Sequence, residues 1–155
     1  MTRLMLIGVL IVMLGACSVD PAPRATIEKA APAQLMPADD ALDDLTITLR
    51  YDDGDGDLGG GVAEVHDCRA DGVTIELAIP PIAADPGQHI TGALELHVND
   101  IGELAAGPLP AACATAGVKS PAAGTAVFCV VLVDRAGHRG AGECTASIAI
   151  AVAAP

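Results

Sequence analysis

The sequence predicts an all-β fold, an antiparallel sandwich of about six to seven strands. Apolar and polar residues alternate from Leu45 to Tyr51, and such period-two alternation is typical of a strand with one buried face. Similar patterns recur further along the chain, and clusters of Gly, Pro and Asp separate them without a long amphipathic helix. Short strands at this spacing favour a sandwich of roughly 110 residues.

The chain begins with a segment typical of an export signal. Arg3 precedes an apolar run from Leu4 to Leu14, an arrangement that secretory signals share. The run is shorter than the roughly 20 residues that a membrane-spanning helix needs. We therefore expect residues 1–16 to form a signal helix that is removed after export.

The end of this segment resembles the lipobox of bacterial lipoproteins, because Leu14, Gly15 and Ala16 precede Cys17. The resemblance implies that Cys17 receives a diacylglycerol, becomes the first mature residue and is acylated again at its amino group. Several acyl chains anchor a protein stably, whereas one chain holds it only marginally. Ser18 follows Cys17, which in this family implies the outer rather than the inner membrane of a bacterial envelope. The alternative is an ordinary cleaved signal beside an incidental cysteine.

Residues 17–44 are predicted to form the lipidated start and a flexible tether. Pro, Ala and Asp dominate the segment, and this composition offers little apolar surface for folding. The alternative is a short helix between Ala25 and Leu35, limited by the prolines on either side. The folded domain is then expected to span residues 45–155.

Further strands are predicted after the first. Alternation recurs at Val73–Ile79 and Leu94–Val98, and apolar residues alternate with alanine at Ile148–Val152. Val127–Val133 is a continuous apolar run, as expected for a central strand that is covered on both faces or crossed by a disulfide. Val62–Asp67 is a weaker candidate that lies between two turns.

The charge of the chain excludes one class of partner. The chain contains eight Lys and Arg and twenty Asp and Glu, which gives a net charge of −12. Removing Arg3 with the leader makes the mature chain more acidic by one charge. A polyanion of this kind repels the phosphates of nucleic acids. We therefore expect no nucleic-acid partner.

Setting Cys17 aside leaves an even number of cysteines in the domain. In an exported protein such a set predicts two disulfides, each contributing about 2–4 kcal/mol to stability. The alternative is a four-thiolate metal site, but these sites usually contain close Cys-x-x-Cys pairs, which the chain lacks. The four residues are Cys68, Cys113, Cys129 and Cys144.

Two motifs carry a resemblance to a known family. Residues 51–61 are YDDGDGDLGGG and residues 131–140 are VLVDRAGHRG. They resemble the turns of bacterial immunoglobulin-like or fibronectin type III-like domains of cell-surface proteins. In those domains an early strand ends in an aromatic before an Asp-rich turn, and a late strand ends in V-x-V-x-D-x-A-G-N. His138 replaces the final Asn, and the tryptophan of antibody domains is absent.

The resemblance, which covers about residues 45–153, implies an immunoglobulin-like strand assignment. It places the loops 52–61 and 134–143 at the same end of the sandwich. On this assignment we expect disulfides between Cys129 and Cys144, opposite each other in a hairpin, and between Cys68 and Cys113 at the other end, although four cysteines allow three pairings. The strands would begin at Leu45 (B), Val62 (C), Val73 (C′), Gly92 (E), Thr125 (F) and Cys144 (G), with strand A missing or within the tether.

The acidic loop after the first strand contains the clearest candidate metal ligands. Asp53, Asp55 and Asp57 have the alternating spacing of the first ligands of a calcium loop, and Glu64 occupies the twelfth position. An EF-hand is not expected, because Leu58 replaces its invariant Gly and no helices flank the loop.

Two interpretations of this loop remain open. The favoured one is a solvated turn whose aspartates cap backbone amides and pair with Arg135 or Arg139, which would contribute about 0–1 kcal/mol. The alternative is a looser calcium site formed by Asp53, Asp55, Asp57 and Asp134. The candidate binding residues of the two loops are Asp52, Arg135, His138 and Arg139.

The sequence does not predict an enzyme. Its four histidines show no metal-binding spacing, and no G-x-S-x-G nucleophile motif occurs. The first function we expect is a binding or structural module of the cell envelope with a protein or glycan partner. The alternatives are a calcium-dependent module for adhesion or assembly and, more remotely, a metal-assisted hydrolase. No cofactor is expected on the first of these functions, and calcium is the alternative.

Mass spectrometry of the mature N-terminus tests the lipoprotein interpretation. We expect the first residue to be Cys17 with a diacylglycerol on its sulfur, because the lipobox resemblance implies this modification. An unmodified N-terminus beyond Cys17 would contradict the interpretation.

Overall fold

The computed structural model describes residues 20–36, 44–69, 73–85, 87–99, 101, 108–119 and 121–151. The signal peptide and Cys17 lie outside the described residues. Within these ranges the chain forms ten strands and one helix of five residues, and no described helix is long and apolar enough to span a membrane. The elements are β1 (Arg24–Ala31), β2 (Gln34–Leu35), β3 (Leu45–Asp53), β4 (Val62–Asp67), β5 (Thr74–Ala78), β6 (Ile90–Val98), α1 (Ala111–Thr115), β7 (Thr125–Ala126), β8 (Phe128–Val133), β9 (Glu143–Cys144) and β10 (Ile148–Ile150).

The strands form two larger sheets and one small sheet. In the first sheet β3 lies between β1 and β6, and in the second the order is β5, β4, β8, β9. The small sheet joins β10 to β7 and, in parallel, to β2, whereas the strand pairs of the larger sheets are antiparallel. Side chains from both larger sheets form one buried apolar cluster. The predicted all-β sandwich is therefore confirmed.

The alternating segment forms β3, the central strand of the first sheet. Leu45, Ile47 and Leu49 are fully buried, whereas Arg50 is exposed. β3 pairs with β6 along its whole length and with β1 on its other side. The period-two prediction is confirmed because one face of the strand lies on the core.

Strand β8 is buried on both faces. Phe128, Val130 and Leu132 belong to the main core. The opposite face carries Cys129, which packs with Cys68 and Cys113 in a second buried cluster. Partly buried residues on either side of α1 cover this cluster: Leu109, Ala116 and Val118. Cover on both faces explains why the strand is continuously apolar.

The predicted flexible tether over residues 17–44 is wrong for its middle part, because this part contains β1 at the edge of the first sheet. Ala25 and Ile27 pack against the core, and a register shift between Ile27 and Lys29 moves the next inward residue to Ala30. This irregularity breaks the period-two pattern. The alternative of a short helix is also wrong, since β2 occupies the end of the same segment.

Both predicted disulfides form and confirm the expected pairing. Cys129 and Cys144 are direct partners across β8 and β9, with Cα atoms 4.0 Å apart. Cys68 follows β4 and is bonded to Cys113 in α1, with Cα atoms 5.7 Å apart. Both bonds lie at the end of the sandwich where β4 ends and β8 begins.

The loops between β3 and β4 and between β8 and β9 meet at the opposite end, as the strand assignment predicts. The chain also enters the domain at this end. Arg24, the first residue of β1, pairs with Asp52 near the end of β3. The carbonyl of Pro23 lies against Gly140 in the loop after β8.

Gly61 brings the two loops into close contact. A Cβ at this position would overlap the Val133 carbonyl oxygen and lie 2.9 Å from the Leu58 carbonyl oxygen. Gly61→Ala should therefore lower the free energy of unfolding by about 1–3 kcal/mol, measured by chemical denaturation. Gly142→Ala is the matched control and should change little, because its Cβ would lie 3.5 Å from the nearest atom. Equal stability of the two variants would contradict this close contact.

Candidate functional site

Four carboxylates converge where the β3–β4 loop meets the β8–β9 loop. Each contributes one oxygen to a group whose members all lie within 4.8 Å of one another. Two of the residues are buried and two are half-buried. We call this group the acidic cage: Asp53, Asp55, Asp57 and Asp134. It brings together the four residues that the sequence proposed for a calcium site.

Leu58 draws the acidic loop inward. Its side chain is fully buried in the core, and its N–H donates a hydrogen bond to Oδ2 of Asp53 at 3.0 Å. Gly56 has a φ of +78° and lies so close to the Gln88 carbonyl that a Cβ would overlap it. Glycine is required there for both reasons. Leu58 and Gly56 thus fix a short turn in which the carboxylates of Asp53, Asp55 and Asp57 lie close together.

Neighbouring loops fix the main chain of the half-buried carboxylates. The N–H of Arg135 donates to the carbonyl of Asp57 at 3.2 Å, and the N–H of Gly87 donates to the carbonyl of Asp55 at 2.8 Å. The loop after β5 and the loop after β8 therefore hold the acidic loop in place. Both hydrogen bonds use backbone atoms of Asp55 and Asp57, so the carboxylates of these two residues are not occupied by them.

Three oxygens of the cage lack hydrogen-bond partners. Oδ1 of Asp53, of Asp55 and of Asp57 is buried and accepts no hydrogen bond from the described residues. Buried polar atoms normally have a partner, and leaving a charged one without any is costly. The cage therefore concentrates negative charge that hydrogen bonds compensate only in part.

This environment shifts the pKa of two cage residues upward. Burial raises the pKa of Asp53, the N–H of Leu58 opposes the rise, and the charges of Asp57 and Asp134 add to it. Burial likewise raises the pKa of Asp55, and the neighbouring carboxylates add to that rise. Both carboxylates would gain from a positive charge at the centre of the cage.

Asp134 is the one cage residue whose two oxygens are both hydrogen-bonded. The backbone N–H of His138 donates to Oδ1 at 2.8 Å, and Nδ1 of its ring lies 2.9 Å from Oδ2. The hydrogen bond to Asp134 raises the pKa of His138 despite some desolvation, and the charges of Asp134 and Asp55 raise it further. His138 thus orients Asp134 from outside the cage.

The favoured interpretation of a solvated turn is right about the backbone caps, because Asp53 and Asp134 accept hydrogen bonds from the N–H groups of Leu58 and His138. It is wrong about the solvation of these two carboxylates. Asp53 and Asp134 are 0% and 4% exposed, respectively. Arg139 binds both oxygens of Glu64, at 2.5 and 2.6 Å, instead of a cage aspartate. Glu64 is consequently held on β4 and does not act as the twelfth ligand of a calcium loop.

The other predicted binding residues lie beside the cage. Oδ1 of Asp52 lies 2.9 Å from Nε2 of His89 on the surface. Arg135 is exposed and forms no ion pair with the described residues. It borders a recess of about 260 Å³ together with Asp55, Asp57 and Gly87.

A second polar group on β4 was missed by the sequence analysis. His66 is only 7% exposed, and its Nδ1 lies 2.9 Å from Oγ1 of Thr74 while its Nε2 lies 3.3 Å from Oε2 of Glu64. The row of hydroxyl, imidazole and carboxylate has the order of a nucleophile, a base and an acid. Arg139 lowers the pKa of Glu64 through its hydrogen bonds. The sequence contained one indication of this polar group: Glu64 and His66 are two positions apart, which places them on the same outer face of β4.

Comparisons of the chain with models of protein families, with curated proteins and with solved structures find no match.

Asp53→Asn should stabilise the protein in the presence of a chelator. Asn has the same shape and can still accept the hydrogen bond from Leu58, but it removes one of the crowded charges. We expect a gain on the order of 1 kcal/mol in the free energy of unfolding near neutral pH. Chemical denaturation measures this gain, and the exposed neighbour Asp52→Asn is the control.

The gain should depend on pH. Because the folded-state pKa of Asp53 lies above its ordinary value of 3.8, the folded protein binds this proton more tightly than the unfolded chain. The stability of the wild type therefore falls as the pH rises from the ordinary value through the raised one. The advantage of Asp53→Asn should be small at the acidic end of this range and largest above it. A difference independent of pH would contradict the proposed charge crowding.

Proposed function

We propose that the protein is a lipid-anchored module of a bacterial cell envelope whose β-sandwich binds a calcium ion in the acidic cage. The ion orders the loops at this end of the domain, which then contact a protein or glycan partner in adhesion or assembly. The observation that carries this proposal is the convergence of four carboxylates with three buried oxygens that have no hydrogen-bond partner.

The size of the cage supports a single ion. Calcium binds oxygens at 2.3–2.6 Å, so two ligands on opposite sides of one ion are about 4.8 Å apart. The four cage oxygens lie within 4.8 Å of one another. One calcium ion could therefore contact all of them after small side-chain movements, and it would compensate the charges that raise the pKa of Asp53 and Asp55.

The type of ligand favours calcium over other cations. Four carboxylates form a hard, all-oxygen set, whereas zinc, copper and iron sites usually contain imidazole or thiolate. A ring nitrogen of His138 also lies within 4.8 Å of one oxygen each of Asp55 and Asp134, but its Nδ1 already binds Asp134, whereas the four-carboxylate set includes three buried oxygens without a partner. Magnesium prefers a compact octahedron at 2.0–2.1 Å and retains several waters, which suits a buried four-carboxylate cage less well.

Export and anchoring are supported by other parts of the chain. The leader ends in Cys17 with the lipobox order, and the two disulfides of the domain suit an oxidising compartment. Beside the cage, Arg135 and the recess that it borders provide an exposed polar surface. This surface is the part of the loop end that we propose meets the partner.

Thermal unfolding in calcium and in chelator tests the metal proposal. Calcium in large excess should raise the melting temperature of the wild type, because a ligand at 100 times its dissociation constant adds about 2.7 kcal/mol to stability. Magnesium at the same concentration should give a smaller shift. A melting temperature that is the same in millimolar calcium and in chelator would overturn the proposal.

The same variants make the test specific. Asp53→Asn should lose most of the calcium-dependent shift because it removes a buried ligand, although it is more stable than the wild type in chelator. Asp52→Asn should retain the full shift, since Asp52 lies outside the cage. A full shift in both variants would show that calcium binds elsewhere.

A further inference from the structure

The two disulfides are in direct contact with each other. Sγ of Cys68 lies 3.3 Å from Sγ of Cys129, and each atom belongs to a different bond. Neither sulfur carries a proton, so the approach is a contact between two bridges and not a hydrogen bond. The distance between them is short enough for one sulfur to attack the other if either bridge opens.

Only one of the four disulfide-bonded cysteines is accessible. Cys68, Cys113 and Cys129 are fully buried, whereas Cys144 is half-buried. Cys144 borders a recess of about 300 Å³ together with Lys29. An external thiol can therefore approach the pair of disulfides at Cys144 before it can reach any of the other three.

We propose that the two disulfides act as a thiol–disulfide relay that transmits attack at Cys144 to Cys113. An external low-molecular-weight thiolate attacks Sγ of Cys144, which forms a mixed disulfide there and releases Cys129 as a thiolate. Cys129 then attacks Sγ of Cys68, which forms a Cys68–Cys129 bond and releases Cys113 as a thiolate. Two sulfur–sulfur bonds break and two form, and Cys113 takes up the proton that the external thiol lost.

The product of the relay has lost both original disulfides and carries one new disulfide within the protein, between Cys68 and Cys129. Cys113 lies in α1, and its bond to Cys68 ties this helix to the end of β4. Transfer of the bond to Cys129 leaves β4 and β8 cross-linked and frees α1, while the attack at Cys144 has already removed the bond between β8 and β9. The apolar residues that cover the outer face of β8 are then no longer held by a covalent bond. Attack by an external thiol at Cys144 thus removes the covalent attachment of α1 and of the residues that cover the outer face of β8.

Two variants of the full chain test the relay. Cys144→Ser and Cys129→Ser each remove the same disulfide, so both should lose similar stability, but they leave different thiols. In Cys144→Ser the free thiol is Cys129, which lies beside Cys68. We expect the folded variant at mildly alkaline pH to yield a peptide that links Cys68 to Cys129, together with alkylated Cys113. Non-reducing peptide mapping after rapid alkylation measures both products.

Cys129→Ser is the matched control, because the free thiol is then Cys144 and the attacking sulfur is gone. It should retain the Cys68–Cys113 bond and yield only alkylated Cys144. Circular dichroism establishes that both variants are folded. An intact Cys68–Cys113 bond in folded Cys144→Ser would overturn the relay, as would equal exchange in the two variants.

The wild type provides a second measurement that does not depend on a variant. Brief exposure to a limiting amount of glutathione should place glutathione on Cys144 and expose Cys113 to alkylation, with a Cys68–Cys129 peptide in the same sample. Glutathione found first on Cys68 or Cys113 would contradict the proposed direction.

Discussion

The two-sided burial of β8 is the constraint on which the rest of this structure depends. One face of the strand supplies Phe128, Val130 and Leu132 to a core that has few aromatic residues, and the other carries Cys129 into the disulfide cluster. Asp134 follows directly at its end. The position of β8 therefore sets both the cross-linked end of the sandwich and one wall of the acidic cage. Because the strand is covered on both faces, a shift of its register would disturb the two ends at once.

The acidic cage is maintained against its own electrostatic repulsion. Leu58 draws the loop toward the core, Gly61 keeps it against the end of β8, and backbone hydrogen bonds from Arg135 and Gly87 fix its main chain. None of these contacts neutralises a carboxylate. Local conflicts of this kind are expected where a protein is shaped for a ligand and not for stability alone. A bound cation would turn the same arrangement of charges from a source of instability into a set of attractive contacts.

Sequence patterns predicted the strands whose apolar residues follow a regular period. The alternation of β3 and the continuous apolar run of β8 agree with the structure. The pairing of the four domain cysteines, which was expected from the immunoglobulin-like strand assignment, agrees as well. β1 could not be predicted because the register shift after Ile27 interrupts its alternation. The aspartate spacing identified three of the four cage residues, and Asp134 was added because the strand assignment placed its loop at the same end. Their burial could not be predicted, because it depends on packing by Leu58 and on a distant loop. The partner of Arg139 was missed for the same reason, since Glu64 is 75 positions away along the chain.

The place where the chain enters the domain determines how an N-terminal anchor would orient it. β1 begins at Arg24 beside Asp52, at the end that holds the acidic cage. Arg24 lies seven positions after Cys17, and a segment of this length spans at most about 25 Å when fully extended. A lipid on Cys17 would thus hold the cage close to the bilayer and turn the disulfide end outward. The acidic cage would then meet components of the membrane surface, and the two disulfides would face the thiols of the surrounding compartment.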